Sequence, residues 1–435
     1  MGEGVLKTAT APRALGFAGS SAGLSCESVP LSVIAADAGT PVYVYSAAVI
    51  REQYSRLDRA FARVPHRLHY SVKANGNLAL LRLLRTLGAG VDIVSAGELH
   101  RALLAGFSGP DIVFSGVGKT EAELVAAVDA RVRLINVESL GELHLLDEVA
   151  RRLGRRADIA LRVNPEVTVS TPHAYIRTGG RGDKFGVPWD DALDVARVAL
   201  RLPGVRLVGL DVHIGSMVAR VEPYRDAVRR LLGLASDLRK HGASDLAVLD
   251  LGGGFAVSYG SDEVEVDPDA LAQAVEEELA DSGFALVLEP GRFLVGNAGV
   301  LLTRVLYRKR SGDKEYVITD AGMTDLLRPS HYDAFHAIDA VVPSGARIRA
   351  DVVGPVCESG DFLARDRDLD DAAPGDLLIV RSAGAYGYAM ASHYNARPKP
   401  AEVLVDGDSF AIATRRETVA DLVRQEAHEL DWRRV

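Results

Sequence analysis

From about residue 50 to residue 290 the chain alternates short apolar runs with segments of helical period. The runs lie at 68–72, 91–94, 111–114, 132–137, 159–163, 207–212, 246–251 and 285–288. The helix-period segments lie at roughly 48–62, 77–87, 97–105, 120–129, 139–153, 190–201, 222–240 and 268–281. Most runs are continuously apolar, the pattern of strands covered on both faces. Eight such units over about 240 residues match a (β/α)8 barrel in count and size. A doubly wound open sheet would alternate in the same way. The positions of the unusual residues separate the two. Lys73, Asp92 with Ser95, Ser115-Gly116, Glu138, Asn164, His213, Gly252-Gly253-Gly254 and Glu289 each follow a run at its C-terminal end. In a barrel those eight ends converge on one face, whereas the outer ends of an open sheet cannot meet. The expectation is an α/β fold built on a TIM-type barrel.

Past Gly291 the texture changes to short β-rich segments punctuated by Gly, Pro and Asp, at 300–307, 316–319, 347–353, 376–380, 402–405 and 410–413. They predict a C-terminal, mainly antiparallel β domain, with a closing helix at about 417–428. The expected division is a segment at 1–40 that joins the β domain, the barrel at 41–290 and the β domain at 291–435. A length of 435 residues is more than one core usually supports. The net charge of -9, with no Lys/Arg run, argues against nucleic-acid binding. Cys26 and Cys357 are the only cysteines and stand far apart, so neither a disulfide scaffold nor a zinc site is expected, and no metal is predicted. No stretch of about 18 apolar residues occurs, and the first residues lack a basic segment followed by an apolar run. Neither a membrane span nor a signal peptide is therefore expected, and the chain reads as cytoplasmic.

Several strand ends carry residue types with chemical meaning. In His69-Tyr70-Ser71-Val72-Lys73-Ala74-Asn75 a strand runs into a lysine. Such a lysine ordinarily snorkels to solvent; a buried one is driven toward the neutral amine that condenses with a carbonyl. Leu249-Asp250-Leu251-Gly252-Gly253-Gly254-Phe255 opens a strand into three glycines. That is either a tight turn or a backbone cradle for an anion, and it is not the GxGxxG of a dinucleotide site. Glu289-Pro290-Gly291-Arg292 places a carboxylate in the barrel mouth, to pair with Arg292 or with a protonated ring nitrogen. His213-Ile214-Gly215-Ser216 offers an imidazole that is either structural or stacked on an aromatic cofactor. Ser115-Gly116-Val117-Gly118-Lys119-Thr120 would be a P-loop only with glycine at Val113, so Thr120 reads as a helix cap.

Together with Gly354-Pro355-Val356-Cys357-Glu358-Ser359-Gly360-Asp361 and Gly384-Ala385-Tyr386, these motifs stand in the order seen in the alanine racemase-like, fold type III pyridoxal-phosphate decarboxylases. The resemblance covers nearly the whole chain. It is strongest to the branch that converts meso-2,6-diaminopimelate to L-lysine, the last step of lysine biosynthesis. It implies that Lys73 carries pyridoxal 5'-phosphate, with Asp92 nearby, His213 stacked on the ring and Glu289 on its nitrogen. Ser216, Gly252, Gly253, Gly254, the Pro290-Gly291-Arg292 turn and Tyr386 would hold the phosphate. The family forms obligate homodimers with sites at the interface, so the partner subunit's Cys357 and the partner subunit's Glu358 would reach each cofactor. Cys357 would be the proton donor after carbon dioxide leaves.

Charge bears on the substrate's far end. Arg292 and Arg328 suit a distal carboxylate, Glu358 suits a distal ammonium, and Tyr332 and Tyr386 add hydroxyls. A zwitterionic tail follows, which meso-diaminopimelate has. Carboxynorspermidine or a carrier-bound glutamyl group is the rival substrate; a racemase or a non-catalytic cofactor-binding protein is the rival class. The stretch 164–188 is long for a barrel loop and reads as a lid. Met217, Arg177 and Phe255-Ala256 depart from the residues common in the family at those positions.

Overall fold

The computed structural model describes residues 16–20, 23–167, 180, 182–260, 264–426 and 429–433. They fall into two compact units. Among the described residues, one is Ala47–Ala298; the other combines 16–46 with Gly299 onward.

The first unit is a closed barrel of eight parallel strands. They are β1 (His66–Ser71), β2 (Gly90–Ile93), β3 (Ile112–Phe114), β4 (Leu134–Val137), β5 (Ala157–Arg162), β6 (Val205–Asp211), β7 (Val248–Asp250) and β8 (Ala285–Leu288). Each pairs with the next, and β8 closes on β1 with Leu286 opposite His66 and Leu288 opposite Leu68. All eight expected strands are present. Their continuous apolarity follows from burial on both sides, by packed side chains within and helices without. The helices start where capping side chains meet free amides: Asn77, Ser95, Thr120, Ser139 and Asp267 each accept from a first-turn N–H. Thr120 forms a reciprocal capping box with Glu123, so it is the helix cap that the sequence reading expected.

Inside the barrel, Val113, Leu134, Ala160 and Val287 form one buried apolar cluster, with Val248 packed against it. Side chains on a strand repeat their face every second residue. The positions two residues on, toward the C-terminal mouth, are Ser115, Asn136, Arg162, Glu289 and Asp250. A polar layer therefore rests on an apolar plug, and every member of that layer is buried.

The second unit holds a mixed sheet of nine strands and a small three-stranded antiparallel sheet. Most pairs are antiparallel, but Val42–Ser46 runs parallel to Ala401–Asp406 and Lys314–Thr319 runs parallel to Arg347–Val353. Val42–Ser46, placed with the barrel by the expected boundary at 41, is therefore a strand of this sheet, and its Val42 and Val44 sit in a core with Val300, Leu302, Ile379, Ala401 and Val403. The one-turn helix Arg292–Val295, expected past the boundary, belongs to the barrel unit. Two strands of the mixed sheet escaped the sequence reading, as did the three short strands Phe17–Ser20, Gly23–Cys26 and Val29–Pro30. Ile338–Ala340 is only three residues long, and Phe362–Asp370 carries five charged side chains in its last six positions. The closing helix shrinks to Val419–Leu422. It buries no residue, so nothing offsets the cost of extending it. Among the described residues no helix is long and apolar enough to cross a membrane.

Candidate active site

β1 ends at Ser71, and a single 3-10 turn, Val72–Ala74, carries Lys73 into the mouth. Lys73 Nζ donates to Asp92 Oδ2 at 3.1 Å, and Ser71 Oγ lies 2.9 Å from the same oxygen. Asp92 is fully buried while the Lys73 side chain is 36% exposed. The expected buried amine is thus a partly exposed one held by a buried carboxylate. The other oxygen, Asp92 Oδ1, is buried with no hydrogen-bond partner among the described residues.

The floor of the mouth is acidic. Ser115 Oγ donates to Glu289 Oε1 at 3.2 Å, and Asn136 Nδ2 reaches Glu289 Oε1 at 3.4 Å and Asp250 Oδ2 at 3.1 Å. Burial pushes the Glu289 carboxyl well above its ordinary range, and the charges of Asp250, Asp92 and Asp211 push it further, with Lys73 opposing. Burial likewise lifts Asp250 to about 6, held back by bonds from the Gly252 amide and Asn136. Asp211 is raised by burial and by Asp250, against the pull of Arg162. Arg162 donates to Glu138 Oε1 at 2.9 Å and sits 3.8 Å from Asp211 Oδ2. Carboxyls this crowded share protons rather than ionise together. A cationic ring nitrogen above Glu289 would relieve that crowding.

A second region is built for an anion. The Gly253 N–H lies 3.2 Å from His213 Nδ1, so that nitrogen accepts and the imidazole proton sits on Nε2. Burial, with the charges of Lys73 and Arg162, holds the His213 pKa well below its ordinary value. A neutral ring can lie against an aromatic face without a charge to solvate. A Cβ at Gly253 would come within 2.1 Å of the Glu289 carbonyl, and one at Gly254 within 2.0 Å of the Gly215 carbonyl. Gly254 also has φ +87°, so only glycine fits there. Neither Gly254 nor Gly291 donates its N–H to any described residue. Arg292 Nη2 reaches Ser216 Oγ at 3.2 Å, and Nη1 reaches the Tyr259 hydroxyl. The Pro290 carbonyl accepts from the Ser71 amide and ties this turn to β1. Asp250 Oδ1 accepts the Gly252 N–H at 3.0 Å and so joins the glycine turn to the acidic floor. Free amides, a hydroxyl and a carboxyl awaiting a cation fit a cofactor with a phosphate and a basic ring nitrogen.

The second unit carries the other expected residues. Arg328 and Tyr332 share the short helix Arg328–Tyr332. Arg328 is buried and bonds His336 Nε2 at 2.8 Å; because arginine only donates, His336 carries its proton on Nδ1, which faces the Arg381 carbonyl. Cys357 is exposed with a free thiol. Its loop is ordered from behind by Asp361, whose carboxylate accepts the Val356 and Met323 amides at 2.6 Å each, while the Cys357 amide bonds Asn395 Oδ1 at 3.0 Å. Glu358 accepts from the Tyr394 hydroxyl at 3.4 Å. A Cβ on Gly360 would lie 3.1 Å from Ser330 Oγ, so this loop abuts the helix bearing Arg328. Tyr386 has φ 57°, a left-handed conformation costly for a tyrosine and common where function holds it.

Sequence reading gave no role to Asn136, Arg162, Asp211 or Asp250. The signal that would have found them is strand parity: polar residues on inward positions of otherwise apolar strands. Of the expected lid, 168–179 and 181, with Arg177, lie outside the described residues. Its remaining part packs Phe185 against the Arg162 guanidinium, 5.2 Å from the ring centre, and donates the Gly186 amide to Glu138. Met217 holds a left-handed backbone, φ 63°.

Residues 47–296 match the model of the pyridoxal-dependent decarboxylase family, pyridoxal binding domain. The chain is 47% identical over 94% of its length to the diaminopimelate decarboxylase of Neisseria meningitidis serogroup A, covering 99% of that protein. It is 49% identical over 93% of its length to that of Pseudomonas aeruginosa, covering 97% of it. The crystal structure of diaminopimelate decarboxylase from Helicobacter pylori complexed with L-lysine superposes with a TM-score of 0.88 at 39% identity, covering 91% of this chain and 99% of that one.

Proposed function

The chain belongs to the diaminopimelate decarboxylase family of pyridoxal-dependent decarboxylases, and from that premise we propose that it removes carbon dioxide from meso-2,6-diaminopimelate to leave L-lysine. The observation that carries the reading is the pair of buried carboxyls in one barrel mouth: Asp92 holding the Lys73 amine and Glu289 pushed toward its neutral form. Pyridoxal phosphate, when bound, supplies an electron sink for the pair left behind as the carboxylate departs. Lys73 is the residue that holds the cofactor covalently, with Asp92 keeping its amine in place. Glu289 pairs with the ring nitrogen, and Ser115, Asn136 and Asp250 fix the direction of its carboxyl. His213, neutral, presents its ring face. Ser216, Gly252, Gly253, Gly254, the Pro290-Gly291-Arg292 turn and Tyr386 bind the phosphate.

Arg328 and Arg292 take the substrate's distal carboxylate, with Tyr332 and Tyr386, and Glu358 takes its distal ammonium. The protein works as a homodimer in which the partner subunit's Cys357 protonates the carbon that lost carbon dioxide. What supports that role is a surface thiol on a loop ordered by Asp361. The deciding assay measures carbon dioxide and lysine from meso-diaminopimelate with pyridoxal phosphate present, against ornithine, arginine and carboxynorspermidine. Lysine from diaminopimelate alone is expected. A protein that absorbs at roughly 420 nm, as a lysine-bound cofactor does, yet turns over only another substrate would keep Lys73 and overturn the substrate.

A further inference from the structure

The end of the barrel opposite the mouth holds a feature that decarboxylation does not use. The loops entering β3, β4 and β5 line an open surface cavity of about 460 Å³ with Arg131, Arg133, Arg155, Arg156 and Asp158, and Ile135 in its apolar wall. The carboxylates here are all taken. Asp111 bonds Arg67 at 2.6 Å, Asp129 pairs with Arg155 at 3.1 Å, and Asp158 is held by both Nε and Nη2 of Arg206 at 2.6 Å. Three guanidiniums are left over. The side chains of Arg131 and Arg133 make no hydrogen bond or ion pair among the described residues, and Arg156 bonds only the Val205 carbonyl, through Nε at 2.9 Å.

The framework around them is tight. A Cβ on Gly109 would stand 1.9 Å from the Ala130 carbonyl, so two of the loops press together, and Arg155 caps the helix Glu121–Ala130 through the Val128 and Asp129 carbonyls. Arg131 itself holds φ 55°. Burial and the neighbouring Arg67 push the Arg133 guanidinium below its ordinary pKa, with the Asp111 and Asp158 carboxylates opposing. Arg131, Arg133 and Arg156 are exposed, so solvent screens their mutual repulsion, and an anion seated among them would relieve what remains. The chain as a whole carries -9, so this local excess runs against its overall balance.

We propose that this cavity binds a small oxyanion bearing two or more phosphate or carboxylate groups, which the unpaired guanidiniums grip in forked hydrogen bonds. The site is separate from the cofactor's own phosphate cradle and does not depend on which substrate the mouth takes.

The test is calorimetric titration of the cofactor-saturated protein with pyrophosphate and, separately, with citrate, at ionic strength held constant by sodium chloride. One saturable site per chain is expected. Binding of pyrophosphate alone assigns a phosphate ligand, of citrate alone a carboxylate ligand, and of both the shared chemistry. The double variant Arg131→Gln/Arg133→Gln should lose affinity about tenfold or more, as loss of forked charge-assisted bonds implies, with cofactor absorbance and turnover unchanged. Arg131→Gln alone, at an exposed helix end, gives a second variant with the same direction of effect if the double variant does not fold. Absence of saturable binding by either probe, or equal affinity in the variants, overturns the proposal.

Discussion

At the scale of single residues, the site is a problem in surplus negative charge. Asp92, Asp211, Asp250 and Glu289 lie buried together, and the nearby cations are Lys73 and Arg162. Glu289→Gln keeps the side chain's size and its contact with Ser115 but removes the charge offered to the ring nitrogen. We expect kcat to fall about 10²- to 10³-fold, the usual effect of deleting one preorganised electrostatic contact, with much less change in cofactor affinity. Steady-state rates beside a fluorescence titration of the cofactor check the split. Lys73→Ala should bind the cofactor only reversibly, so dialysis removes the absorbance that the unaltered protein retains. Of these residues, Lys73, His213 and Glu289 were legible because each ends an apolar run. Asp250 was not, although it lies inside a quoted motif. Strand parity points that aspartate inward, but only closure of the barrel places it beside Glu289.

At the scale of elements, the glycine turn after β7 is the one whose backbone cannot vary. Gly253→Ala would drive a methyl into the Glu289 carbonyl, 2.1 Å away. Cofactor affinity should fall about tenfold or more, since a contact under 3 Å forces the turn to move, while circular dichroism stays unchanged. A binding titration decides it. Thr120→Ala makes the opposite point. It removes a reciprocal cap and should cost about 1 kcal/mol in urea denaturation, leaving turnover untouched. The barrel strands were readable because closure buries both their faces. Phe362–Asp370 was not, because charged residues crowd its exposed positions.

At the scale of the whole molecule, stability should respond to pH from both sides. Burial pushes Glu98 up to about 7, the Asp92 charge adding to it and the bond from the Val94 amide opposing. The folded chain then binds that proton more tightly than the unfolded chain. Its contribution is present at low pH and is lost as pH rises from 4.5 through about 7. Glu98→Gln should therefore lose less Tm between pH 5 and pH 8 than the unaltered protein; equal losses would mean Glu98 titrates normally. His69 acts in the other direction. Burial, with Arg67 and Arg133, lowers it to about 3, so stability is lost as pH falls from 6.5 toward 3. The proposed homodimer has its own test. Mixing inactive Lys73→Ala and Cys357→Ala proteins should restore about one quarter of full activity, as random assembly leaves one intact site in half the dimers. No recovery would mean that each chain completes its own site.

The amino-acid sequence by itself determined the number of barrel strands, the lysine and glycine-rich turn at their ends, and the family. Each of these is written in local period or in contiguous motifs. Tertiary structure alone decided that Lys73 is ion-paired rather than buried. It also decided that Val42–Ser46 belongs to the second sheet, and that Asn136, Arg162, Asp211 and Asp250 surround Glu289. Those facts depend on which residues from distant strands share a face and a depth. Only closure of the barrel brings their charges within reach of one another.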